Sequence, residues 1–134
     1  MTNQELDERV QRAVDNFMAG YGCCQSVVAA FSDLYGLDET MAKRIAAGFG
    51  GGVGRMRMMC GAVSGIVMLV GLDCGQTEGS DREGKSACYK ASGRSVYKHL
   101  VLFSEGNTAL CLFMWKQEPG GLLGSQRVGN DFVY

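Results

Sequence analysis

Apolar and polar positions follow a helical period along most of the chain. Thr2-Asn3-Gln4-Glu5 has the spacing of a capping box, and Leu6, Val10, Val14 and Phe17 then recur on one face. They predict a first helix that stops at Gly20. A second helix is expected over Cys23 to Tyr35, with Val27, Val28, Phe31, Leu34 and Tyr35 as its apolar positions and Gly36 closing it. Asp38 has the place of an N-cap for a short third helix through Met41, Ile45 and Ala46. Gly48-Phe49-Gly50-Gly51-Gly52-Val53-Gly54 breaks the period. Cys60 to Leu72 predicts a fourth helix, apolar nearly all round and therefore central in a bundle. A fifth, from about Asp81 to Phe103, presents Tyr89, Val96, Leu100 and Phe103 on one face. Gly106-Asn107 predicts a turn and Thr108 to Trp115 a last short helix. Strand-like alternation is almost absent. The expected fold is an all-α, single-domain bundle of five to six helices around a Gly-rich central loop, spanning residues 1–118, with an irregular tail over 119–134.

Composition narrows the function classes. The chain has 134 residues, 46% hydrophobic and 20% charged, with a net charge of −1. That is enough to bury a core without staples, and it offers no electrostatic attraction for nucleic acid. The longest apolar run, Ala62 to Leu72, falls short of the roughly 20 residues that a membrane span needs, so no membrane insertion is expected. The polar, acidic start lacks the pattern of a secretory signal peptide, and the expectation is a cytoplasmic protein. In a reducing compartment the 6 cysteines point to metal ligation, thiol chemistry or plain burial rather than a permanent disulfide frame.

Two of these cysteines sit where helices begin. Cys23, with Cys24 beside it, follows Gly20-Tyr21-Gly22, and Cys60 opens Cys60-Gly61-Ala62-Val63-Ser64-Gly65. Unpaired N–H groups and the positive dipole end of a helix favour a thiolate there. Arg55 and Arg57 flank the second segment; Arg55 can hold an anionic substrate or stabilise a thiolate. The amides of Gly50, Gly51 and Gly52 offer a cradle for an anion or small ligand. No cysteine pair has C-x-x-C spacing and His99 is the only histidine, which argues against a local zinc knuckle. A site assembled from distant helices, with Cys23 or Cys24, Cys60 and Cys111, would select a soft metal ion or an iron–sulfur cluster. Met56, Met58 and Met59 beside it read as core filling. Gly79 to Ser86 matches G-x-x-x-x-G-K-[ST] letter for letter, but no strand leads into it, and Asp81 reads better as a helix cap.

The run Gly20-Tyr21-Gly22-Cys23, the phrase Ala47 to Arg55, and Cys60 to Gly65 followed by Gly71-Leu72 together resemble the redox-active C_GCAxxG_C_C family. These are small proteins with four characteristic cysteines. The resemblance covers about residues 14 to 115. It implies that Cys23 is the family's first cysteine, Cys60 that of the C-G-A-x-x-G motif, and Cys111 the third. The chain has no cysteine after Cys111 to match the fourth, and Cys24, Cys74 and Cys88 are additional to the pattern. The family's link with transporter genes implies an unidentified redox partner or a membrane transporter system.

The reading that follows is a thiol-based redox protein centred on Cys23 and Cys60, with Cys111 nearby, working by dithiol/disulfide exchange or electron transfer and open to being a thiol/disulfide oxidoreductase. The alternatives are a non-catalytic soft-metal or iron–sulfur protein, a nucleotide-binding module, or a structural partner module. The apolar fourth helix fits either a homodimer contact or burial within one chain.

Overall fold

The capping box at the start of the chain forms as its spacing predicts. The Thr2 hydroxyl accepts from the Glu5 N–H at 3.1 Å, and the Glu5 carboxylate accepts from the Thr2 N–H at 2.7 Å. The computed structural model describes the backbone of residues 2–104 and the side chains of residues 2–97. Over that range the chain is all-helical: α1 (Asn3–Met18), α2 (Cys23–Phe31), α3 (Glu39–Ala46), α4 (Gly61–Cys74) and α5 (Arg82–Ser104). Short 3-10 segments at Ser32–Tyr35 and Ala47–Phe49 extend α2 and α3. Gly36 closes the first of these in the left-handed conformation, and the Asp38 carboxylate caps α3 by accepting from the Met41 N–H at 3.2 Å. The turn at 106–107, the helix at 108–115, the tail from 119, Cys111 and the side chains of His99, Leu100 and Phe103 lie outside the described residues.

α2 is the hub, packed against α1, α3 and α4, while α5 lies along α4. Its polar residues bond locally rather than leave donors orphaned in the core. The Ser26 hydroxyl donates to the Gly22 carbonyl at 2.8 Å, and Asn16 of α1 donates to the Ser26 carbonyl at 3.2 Å. Arg9 ties α1 to the end of α2, with Nη1 2.9 Å from the Ala30 carbonyl and both guanidinium nitrogens on the Asp33 carboxylate at 2.6 and 3.0 Å.

The buried faces are narrower than the apolar stripes predict. In α3 the covered residues are Ala42 and Ala46, while Met41 and Ile45 face outward. Leu34, Tyr35, Leu6, Val10 and Tyr89 are likewise exposed, while Val96 of α5 packs against the core. α4 is buried over Gly61 to Gly65, half-buried from Ile66 to Val70, exposed over Gly71 to Asp73, and half-buried again at Cys74. The reason is close helix approach. Where backbones meet at small residues, large side chains are pushed to the rim of the contact. No helix among the described residues is long and apolar enough to cross a membrane.

Candidate functional site

Cys23 is the first residue of α2, and Cys60 is the N-cap of α4. Successive helical side chains diverge by about 100°, so Cys23 and Cys24 enter different cores. Cys23 packs with Val27, Cys60, Ala62 and Val63; Cys24 packs with Val28, Ala42 and Ala46. None of the three sulfurs is in a disulfide, and all are buried, at 1%, 0% and 2% exposure for Cys23, Cys24 and Cys60. The α2 and α4 starting points, far apart in sequence, thus meet at one place.

Gly61 and Gly65 let them meet. A Cβ on Gly61 would lie 2.8 Å from the Cys23 Cβ and 3.0 Å from the Cys24 backbone nitrogen. One turn later, a Cβ on Gly65 would lie 3.1 Å from the Val27 Cβ. The C-G-A-x-x-G stretch is therefore a thiol followed by the two hydrogen-only positions against which α2 rests. The i, i+4 spacing that puts both glycines on one face is visible in the sequence, although neither was singled out there as a site residue.

Cys24 behaves unlike the activated thiolate expected at a helix start. Burial, and secondarily the nearby Cys60 thiol, push its pKa up to about 12. Desolvation outweighs the dipole here, because the thiol points into the packed core rather than along the helix axis toward solvent. Its sulfur lies 3.6 Å from that of Met68. Among the described residues no group of three His, Cys, Asp or Glu side chains could hold a metal ion, and Cys111 lies outside them.

The Gly-rich segment crosses over this junction. Phe49 packs on the Cys24 cluster and Met59 on the Cys23–Cys60 cluster, so both ends of the loop rest on thiol-bearing cores. Between them the backbone runs left-handed through Gly51 (φ 63), Gly52 (75), Val53 (65), Gly54 (56) and Arg55 (64), and again at Arg57 (58). Bonds from the Gly54 N–H to the Gly48 carbonyl (2.9 Å) and from the Met58 N–H to the Gly52 carbonyl (3.0 Å) hold the coil. Residues with a Cβ cost about 1–2 kcal/mol each in that conformation, so Val53, Arg55 and Arg57 store strain beside the thiols. A Cβ on Gly52 would lie 2.7 Å from the Arg57 Cα, which adds a steric demand to the conformational one.

Of the ligand residues expected from sequence, Gly50 and Arg55 line an open cavity of about 420 Å³, together with Gly20, Tyr21, Gly22, Gln25, Ala47 and Gly54. Gly51 and Gly52 are buried in the coil instead, outside that lining. The cavity sits directly over the α2 start, where the Gln25 side chain accepts from the Gly22 N–H at 2.9 Å. The Tyr21 ring, which lines the same cavity, carries the Lys43 ammonium 4.2 Å from its centroid. Gly79 to Ser86 is a helix entry: the Asp81 carboxylate accepts from the Gly84 N–H at 2.9 Å, and α4, not a strand, precedes it.

A family model described as "Putative redox-active protein (C_GCAxxG_C_C)" matches residues 21–110. No curated protein and no solved structure matches the chain.

Proposed function

Because the chain belongs to the C_GCAxxG_C_C family, we propose that it is a thiol-based redox protein whose working pair is Cys23 and Cys60. The observation that carries this reading is the placement of both cysteines in one buried cluster, at two helix N-termini that meet at Gly61.

In the forward step the pair reduces a disulfide on a partner. One of the two thiols gives up its proton and attacks a sulfur of that disulfide. The partner S–S bond breaks, and one partner sulfur leaves as a thiolate that takes up a proton. The second thiol then attacks the mixed disulfide, forming the Cys23–Cys60 bond and releasing the other partner thiol. Two protein thiols are oxidised and one disulfide becomes two thiols. The N-terminal dipoles of α2 and α4 favour a negative charge on either sulfur, and burial opposes it until the pair is opened to solvent. Cys24 stays protonated and acts as core. Burial means that the partner gains access only when the coil over residues 50–58 moves, and the cavity beneath Arg55 is where an approaching anionic group rests. Cys111 is the third participant this reading implies.

The test is peptide mapping after equilibration in glutathione buffers of graded poise, done in a Cys24→Ala background so that the link is unambiguous. The expected result is a Cys23–Cys60 linked peptide that disappears at reducing poise. Separate, alkylatable Cys23 and Cys60 at the most oxidising poise would end the proposal.

A further inference from the structure

Cys74 and Cys88 take no part in the site above and are additional to the family's cysteine pattern, yet the fold brings them together. Cys74 is the last residue of α4, and Cys88 lies in the second turn of α5, which returns along α4 after residues 75–81. Both thiols are free and half-buried, in contrast to the enclosed Cys23 and Cys60. The antiparallel packing of α5 on α4 sets the two side chains close enough to interact. A second contact fixes the Cys74 sulfur, which lies 3.3 Å from the Val70 carbonyl.

We propose that Cys74 and Cys88 form a second, solvent-accessible dithiol/disulfide site, whose oxidant is a low-molecular-weight disulfide. The chemistry follows from the asymmetry of the pair. Burial, the Cys88 side chain and the Asp73 carboxylate all hold the Cys74 thiol above its ordinary pKa, so Cys74 keeps its proton longer. Cys88 is then the attacking sulfur. Its thiolate forms a bond to one sulfur of the incoming disulfide, and the other sulfur leaves as a thiolate and is protonated. Cys74 next loses its proton and attacks the Cys88 sulfur of the mixed disulfide. The Cys74–Cys88 bond forms and the second small thiol departs with a proton. Overall, two protein thiols are oxidised and one small disulfide is reduced to two thiols. The α4–α5 hairpin presents the resolving thiol before any small disulfide arrives, so the second step is intramolecular.

The experiment uses the full chain equilibrated with oxidised and reduced glutathione, acid-quenched and digested without reductant. Cleavage before Asp and after Lys or Arg places Cys74 in residues 73–80 and Cys88 in residues 86–90, apart from Cys60. The expected product joins these two peptides, and its fraction follows the ratio [GSSG]/[GSH]². In Cys74→Ser a glutathione adduct persists on Cys88 at tenfold or greater excess over the wild type. A wild-type adduct that persists on Cys88 while Cys74 stays alkylatable, a dependence on [GSSG]/[GSH], or two thiols that never react would each overturn the proposal. The two peptides are scored separately from those of Cys23 and Cys60, so this site stands or falls independently of the buried pair.

Discussion

Replacing Gly61 by Ala tests whether α2 and α4 truly meet at the paired thiols. The new methyl would lie 2.8 Å from the Cys23 Cβ, 3.0 Å from the Cys24 nitrogen and 3.3 Å from the Phe49 carbonyl oxygen. Carbon atoms prefer about 3.5–4.0 Å, so α4 must retreat by roughly 1 Å. Two of the three obstacles are backbone atoms and cannot rotate aside. Overpacking of this kind costs about 1–3 kcal/mol, against a helix-propensity gain for Ala of at most about 1 kcal/mol. The net expectation is a loss of about 1–2 kcal/mol. Gly71 supplies the control: it lies in the same helix, is exposed, and a Cβ there meets nothing within 4 Å. Gly71→Ala should stabilise by about 0.5–1 kcal/mol. Urea titrations followed by far-UV circular dichroism should therefore move the two midpoints in opposite directions. Thermal midpoints should separate by roughly 5–11 °C for a domain of this size. If Gly61→Ala matches or exceeds the wild type, the helices are not in contact at Gly61 and the pairing of Cys23 with Cys60 loses its support.

Two further outcomes follow from the same geometry. The Cys24 thiol has a folded pKa of about 12, above its unfolded value of about 8.5. The native state thus holds this proton when the unfolded chain has lost it. The stability Cys24 contributes is complete below about pH 8.5 and falls as pH rises toward the folded value. Urea midpoints measured from pH 7 to 11 should drop less steeply in Cys24→Ala; equal slopes would contradict the burial of this thiol. Val53 holds a β-branched side chain at φ 65 with 37% exposure. Val53→Gly should raise stability by about 1 kcal/mol, since relief of left-handed strain exceeds the added chain entropy. A lower midpoint on urea titration would mean that the coil is not left-handed at Val53.

What the sequence determined by itself was local. Thr2 and Glu5 cap α1, Asp38 caps α3, Gly36 closes the turn after α2, and Asp81 starts α5; each acts within a few residues, where spacing alone fixes the partner. The helix starts at Cys23 and Cys60 were legible for the same reason. Their meeting was not, because it depends on how closely two distant helices approach, and that is decided by Gly61 and Gly65 against Cys23, Cys24 and Val27. The same close approach buries Ala42 and Ala46 while leaving Met41 and Ile45 outside, reversing the preference for large apolar residues. It also turns Cys24 from a candidate thiolate into a core thiol, since desolvation is a property of the packed interior and not of the helix terminus. The contact between Cys74 and Cys88 is likewise invisible along the chain, because only the antiparallel return of α5 against α4 sets its register.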